Sequence, residues 1–337
     1  MSPASTEQFL LEQYTGHPAS QLQDLRKALY QSFFGCEHLI TDTSAAAEGI
    51  RREAAEAGPC SREIEALDGP WSRVQLGVLA DGLTPETLSR MFARSAAMSH
   101  GDADALQEKL TVLRRLIRSG ALPYSPAEAD AELDDWRKNG FPVCRHSEEY
   151  RAAYRPAYRV LHRTYVRLLP LLAAIDRALA ENPRVLLAIE GGAASGKSTL
   201  ADLLTAIYPD TALFHADDFF LRPEQRTAAR YAQPGGNLER ERLESEILIP
   251  ISRNKAAVYR PFNCRTLSLR EPVTVLPGRL NIVEGSYSFH PELARYYDLS
   301  VFLDISPETQ RSRILKRNGP EWGQQFFDRW IPLEQTY

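Results

Sequence analysis

The sequence predicts a mainly α-helical domain over residues 1–182, followed by a three-layer α/β domain with a parallel sheet over residues 183–337. Three observations carry that reading. Up to Asn182-Pro183 apolar residues recur at helical spacing, whereas beyond it short aliphatic runs alternate with helical segments. The first of those runs ends in a glycine-rich turn that opens a helix. The chain has 337 residues, more than one core usually holds, so two domains are expected.

Composition narrows the class. Apolar residues at 43% and charged residues at 25% exclude global disorder and a coiled coil. A net charge of −4 excludes a generally basic nucleic-acid coat. No Lys or Arg precedes Arg26, so a charged secretory n-region is not expected, and apolar stretches such as Leu168–Ile175 are too short to span a bilayer. Cys36, Cys60, Cys144 and Cys264 contain no CxxC pair and are too sparse for a disulfide scaffold. The expectation is a reduced, cytoplasmic protein with no membrane partner.

In the first domain, Leu106, Leu110, Leu113, Leu116 and Ile117 form one apolar stripe. Ser125-Pro126-Ala127-Glu128 reads as a helix start, with a hydroxyl cap, a first-turn proline and a Glu three residues on; Thr84-Pro85-Glu86 is a weaker version. Arg151, Arg155, Arg159, Arg163 and Arg167 repeat every fourth residue beside Tyr150, Tyr154 and Tyr158. On a helix kinked or begun at Pro156 they make a basic stripe next to an aromatic one. The plain reading is a solvated face whose tyrosines pack on the α/β domain; the sharper one is a phosphate-binding face. Cys36-Glu37-His38 and Cys144-Arg145-His146 lack zinc-ligand spacing and read as buried cysteines and capping histidines.

In the second domain, Val185–Ile189 is a continuous apolar run, as a central parallel strand covered on both faces requires. Ala212–Phe214, Leu280–Val283 and Val301–Leu303 repeat the pattern. Helices are expected at Ser198–Ile207 and, after the cap-like Ser306-Pro307-Glu308, at Thr309–Arg317.

The turn after the first strand, Gly191-Gly192-Ala193-Ala194-Ser195-Gly196-Lys197-Ser198, matches GxxxxGK[ST] in full, with Thr199 following. Glycines let the backbone wrap phosphates, and successive N–H groups at a helix N-terminus supply positive potential. In such a phosphate-binding loop Lys197 reaches the β- and γ-phosphates and the Ser198 hydroxyl binds Mg²⁺. Phe214-His215-Ala216-Asp217-Asp218-Phe219-Phe220 brings two carboxylates to the C-terminal end of the next strand, where open α/β sheets bind ligands. A carboxylate there can orient and deprotonate an acceptor hydroxyl. Ile282-Val283-Glu284-Gly285 puts Glu284 on the same edge, available to hold Mg²⁺ directly or through water.

Together these residues resemble the uridine kinase family of small-molecule P-loop kinases. The shared motifs are Gly191–Thr199, Asp217-Asp218-Phe219-Phe220, Glu284-Gly285, and the run from Tyr296-Tyr297-Asp298-Leu299 to Phe302-Leu303-Asp304 with its arginine-bearing helix, Arg311 to Arg317. The resemblance covers roughly Arg184 onward. It implies ATP- and Mg²⁺-dependent phosphorylation of a hydroxyl on a small metabolite, nearest a nucleoside. By the resemblance Asp217 is the base and Lys197 the other catalytic residue. Gly191 to Thr199, Arg313 and Arg317 hold ATP, Asp218, Phe219, Tyr259 and Glu284 lie on the acceptor side, and Ser198 and Glu284 take the metal. Cys264 stands where the family's base-contacting His is expected, and a thiol is a weaker hydrogen-bonding group. The chain ends at Tyr337, before the family's adenine-flanking strand, so this domain reads as shortened. Nucleic acid is not an expected partner, and the oligomeric state is left open. The alternative from another class is an ATP-sensing regulatory protein whose helical domain binds a protein or RNA.

Overall fold

A computed structural model describes residues 3–36, 42–58, 60–99 and 103–337. The chain divides into two compact units, Met1–Asp176 and Arg177–Tyr337.

The first unit is helical but not wholly so. Helices Pro3–Gly16, Leu22–Phe34, Ala103–Arg118 and Pro126–Lys138 bury one core, to which Leu106, Leu110, Leu113, Leu116 and Ile117 contribute the expected stripe. Thr84 caps helix Pro85–Ala96 through the Thr87 amide (3.2 Å), while Ser125 precedes its helix without a side-chain cap bond. The sequence reading did not anticipate a three-stranded antiparallel sheet, β1 (Ile64–Ala66), β2 (Trp71–Gln75) and β3 (Tyr158–His162), in the order β1-β2-β3.

That sheet breaks up the arginine stripe. Helix Glu148–Tyr154 carries Arg151 and stops at Arg155, whose φ of 43° is left-handed, as Pro156 follows. Arg159 then lies on β3, paired with Glu53 at 2.7 Å, and Arg163 opens the next short helix with a 2.6 Å bond to the Gly69 carbonyl. A four-residue repeat needs a helix to become a face, and here the backbone changes conformation twice within it. The tyrosines find partners in their own unit: Tyr150 stacks on His146 at 4.1 Å, and the Tyr154 hydroxyl accepts the Ala19 amide at 2.9 Å.

Beneath the sheet runs a buried polar chain. Arg73, 1% exposed, donates to Gln31 (2.9 Å), Gln13 (3.0 Å) and Glu65 (3.2 Å). His146 meets Asp24 through Nδ1 (2.8 Å) and the Tyr158 hydroxyl through Nε2 (2.6 Å). Both ring nitrogens are thus engaged within the protein, and Cys144 is buried. Glu37 and His38 lie outside the described residues. Among the described residues no group of three His, Cys, Asp or Glu side chains is arranged to hold a metal.

The second unit is built on four parallel strands, β4 (Val185–Gly191), β5 (Thr211–His215), β10 (Leu280–Glu284) and β11 (Leu299–Leu303), in the order β11-β4-β10-β5. Between β5 and β10 lie two short antiparallel pairs, β6 (Ala257–Tyr259) with β9 (Val273–Val275) and β7 (Phe262–Asn263) with β8 (Ser268–Leu269). Every residue of β4 and β10 is buried, which explains their unbroken apolar runs; on the edge strand β11, Phe302 is 64% exposed. Leu186, Ala212, Phe214 and Val283 pack against Leu243, Ile247, Leu248 and Ile251. Asp298 pins the start of β11 by accepting the Leu186 amide at 2.7 Å. Helix Pro307–Gln325, capped by Ser306, is interrupted at Gly319 (φ 75°) before Pro320. Among the described residues no helix is long and apolar enough to cross a membrane.

Candidate active site

Parallel pairing brings Gly191, His215 and Glu284 to one edge of the sheet, and the loop Gly191–Ser198 starts there. Its shape needs its glycines at two points. Gly191 has φ 146°, and a Cβ there would lie 2.5 Å from the Leu303 carbonyl oxygen. Gly196, with φ 107°, turns the chain into helix Lys197–Ile207 with nothing within 4 Å of a would-be Cβ. The first-turn amides of that helix have no intrahelical partner by geometry. Lys197 Nζ donates to the carbonyls of Gly191 (2.8 Å) and Gly192 (2.9 Å) and lies 3.3 Å from Ser286 Oγ. Burial lowers its pKa, while Glu334 and Asp217 pull it back up.

Next to the loop, Ser198 Oγ donates to Glu284 Oε1 at 3.2 Å, and His215 Nδ1 meets the same oxygen at 2.6 Å. That contact raises the His215 pKa, so the imidazole acts as a donor to Glu284. Asp217 stands on the short 3₁₀ turn Ala216–Phe219 that follows β5. Its carboxylate opens to solvent yet is ringed by protein; desolvation first, then the Glu284 charge, push its pKa up. Asp218 is raised mainly by burial, against the pull of His215 and Arg270.

Two of the expected site residues are engaged with other parts of the protein. Phe219 is fully buried and stacks on Tyr259 (ring centroids 5.3 Å apart), so it offers no surface to a ligand; it supports Tyr259, itself only 7% exposed. Arg313 reaches the loop, donating to the Ala194 carbonyl at 3.0 Å, and Arg317 bonds Asn318 and lies over the Phe326 ring. Thr199 sits exposed in the first turn of the helix. Cys264 is exposed as a residue, and partial desolvation of its thiol together with the Asp217 charge pushes its pKa up.

Sequence reasoning missed four participants. Glu190, 5% exposed, accepts the amides of Gly191 (2.8 Å), Tyr287 (3.0 Å) and Phe289 (3.1 Å), tying the loop to the segment after β10. Gln310 holds the Ala193 carbonyl at 3.0 Å, and Ser286 Oγ donates to the Gly191 carbonyl at 3.2 Å. Glu334 Oε2 accepts the Ala193 amide at 2.9 Å. Glu190 had a signal, a carboxylate placed directly before Gly191-Gly192 at the end of a buried strand. Glu334, far along the chain on the short helix Ile331–Thr336, had none.

The chemistry of this donor set suits a phosphate and a hard cation. Ser195 Oγ is buried in the loop without a hydrogen-bond partner, an orphan that a phosphate oxygen would satisfy. Ser198 and Glu284 together offer a hydroxyl and a carboxylate oxygen, the ligand types that Mg²⁺ takes. The residues therefore define an α/β domain of the P-loop kind.

No protein-family model and no curated protein sequence matches the chain. Among solved structures, one described as a possible uridine kinase from Bacillus stearothermophilus is similar at 19% identity, over 50% of this chain and 91% of that one, with a TM-score of 0.38.

Proposed function

We propose that the second unit binds ATP with Mg²⁺ and transfers the terminal phosphoryl group to a hydroxyl of a small metabolite, with a nucleoside as the leading acceptor class. The observation that carries this reading is the meeting, on one sheet edge, of a GxxxxGKS loop, the Ser198–Glu284 pair and a raised carboxylate at Asp217.

In this reading the loop amides, Ser195 Oγ and Lys197 hold the phosphates, and Ser198 and Glu284 hold the metal. Bound Mg²⁺ would supply charge neutralisation at the phosphates. Lys197 leaves its loop carbonyls for a phosphate oxygen, and Arg313, already at the Ala194 carbonyl, adds positive charge. Asp217 takes the acceptor's hydroxyl proton as the acceptor oxygen bonds to the γ-phosphorus and the bond to the β-phosphate oxygen breaks. A raised pKa makes Asp217 a better proton acceptor than an ordinary carboxylate. His215 holds Glu284 in place from behind. Tyr259 and Asp218 line the acceptor side, where Cys264 replaces an imidazole.

The test is ADP release from ATP·Mg²⁺ against a panel of nucleosides, sugars and vitamins, with Asp217→Asn as the paired variant. Acceptor-dependent release that falls by about a hundredfold or more in Asp217→Asn, with ATP affinity nearly unchanged, supports the assignment. Release independent of every acceptor favours an ATP sensor instead, and unchanged turnover in Asp217→Asn removes Asp217 from the mechanism.

A further inference from the structure

The loop that would take a phosphate already holds an anion of its own. Glu334, on the short helix Ile331–Thr336, places Oε2 2.9 Å from the Ala193 amide and Oε1 3.2 Å from Ser286 Oγ. A Cβ added at Gly192 would lie 3.3 Å from the same Oε2, so the carboxylate rests directly on the loop backbone. Ser286 Oγ is shared: it also lies 3.3 Å from Lys197 Nζ. Lys197 meanwhile is folded onto the carbonyls of Gly191 and Gly192 rather than projecting from the loop.

The Ala193 amide, Ser286 Oγ and Lys197 are therefore already in use, while Ser195 Oγ and the first-turn amides of the helix are left for a phosphate. One amide N–H makes one good hydrogen bond, and a carboxylate and a phosphate competing for it are like charges a few ångströms apart. The chain also carries a place to yield. Gly319, at φ 75° and followed by Pro320, interrupts helix Pro307–Gln325, and a Cβ there would meet nothing within 4 Å. The part before the break keeps Gln310 and Arg313 on the loop carbonyls; the part after it delivers Glu334. The segment is held by side-chain contacts: Tyr337 lies edge-on against Tyr287, ring centroids 4.9 Å apart, and hydrogen-bonds Glu190, while Trp330 and Arg329 rest on the Tyr231 ring.

We propose that Glu334 is a built-in phosphate mimic, and that the segment from Pro320 to Tyr337 is a latch which nucleotide must displace from the Ala193 amide before the loop can close on it. This rests on the nucleotide-binding reading of the loop and adds a self-occluded resting state to it. A latch shut roughly nine-tenths of the time weakens apparent nucleotide affinity about tenfold, because only the open fraction is competent.

The experiment titrates a fluorescent ADP analogue with Mg²⁺ into the full chain, its Glu334→Ala and Glu334→Gln variants, and Lys197→Ala. Glu334→Ala should bind about tenfold more tightly than the unaltered chain, with Glu334→Gln in between, since the amide oxygen still accepts the Ala193 N–H without the charge. Hydrogen exchange on the unaltered chain gives an independent reading: nucleotide should speed exchange across Ile331–Thr336 while slowing it in the loop. If Glu334→Ala binds equally or more weakly, or if nucleotide protects Ile331–Thr336, Glu334 is a partner of the bound nucleotide and the latch is refuted alone. If no protein in the series binds nucleotide at millimolar concentration, or if Lys197→Ala binds like the unaltered chain, the reading of the loop fails and the latch with it.

Discussion

Truncating Glu190 should cost the second unit several kcal/mol, and the size of the loss follows atom by atom. The two carboxylate oxygens serve three backbone amides: Oε1 accepts Gly191 and Tyr287, and Oε2 accepts Phe289. Each buried amide left unpaired costs about 1–3 kcal/mol. In Glu190→Ala all three lose their acceptor, a gross loss of about 3–9 kcal/mol. Two effects reduce it. Phe289 is only half-buried and can turn to water, and burial already pushes the Glu190 pKa up, so removing the group recovers some desolvation. The net expectation is about 3–5 kcal/mol. Glu190→Gln keeps an oxygen for Gly191 and Tyr287 but turns an NH₂ toward the Phe289 amide, donor against donor, and should cost about 1–3 kcal/mol. Hydrogen exchange of the β4 amides, which open only when the sheet does, reads the loss without interference from the first unit. A loss under about 1 kcal/mol for Glu190→Ala, or a Gln variant as damaged as the Ala one, would refute the argument.

Two further outcomes follow from the same kind of reasoning. Burial, helped by the Arg73 and Lys27 charges and opposed by Asp24, depresses the His146 pKa to about 4. A depressed folded-state value means that the neutral ring's contribution is present above the ordinary value of 6.5 and is lost as pH falls through 4, about 3 kcal/mol in all. Denaturant titrations of the first unit from neutral to acid pH should show that loss within this window; a flat profile there contradicts a buried neutral imidazole. At Gly285, with φ 148°, an added Cβ would sit 2.5 Å from the Ala216 Cβ. Gly285→Ala should therefore lower the melting temperature by several degrees and shift the turn bearing Asp217; under the proposed function it should also lower turnover more than nucleotide affinity, as paired melting and kinetic measurements would show.

The chain alone determined what depends on local pattern. Unbroken runs such as Val185–Ile189 and Leu280–Val283 are strands because a parallel sheet covered on both faces demands apolar residues at every position. The GxxxxGKS match was legible because its key residues answer local requirements, a positive φ at Gly191 and Gly196 and a helix N-terminus at Lys197. The helical stripe of Ala103–Arg118 was legible for the same reason. What required the fold was every relation between residues distant in the chain. The regular arginine spacing from Arg151 to Arg167 suggested a face, but Pro156 and the pairing of β3 with β2 dispersed it, because tertiary hydrogen bonding outweighs a weak periodicity. Phe219 looked like a ligand contact and became core, since burial is set by what packs against a side chain. Glu334 carries no local mark at all. Its carboxylate acquires a role only because a helix end some 140 residues further along returns to the Ala193 amide, at a separation of 141 positions, and hydrogen bonds of that reach are made by packing and not by pattern.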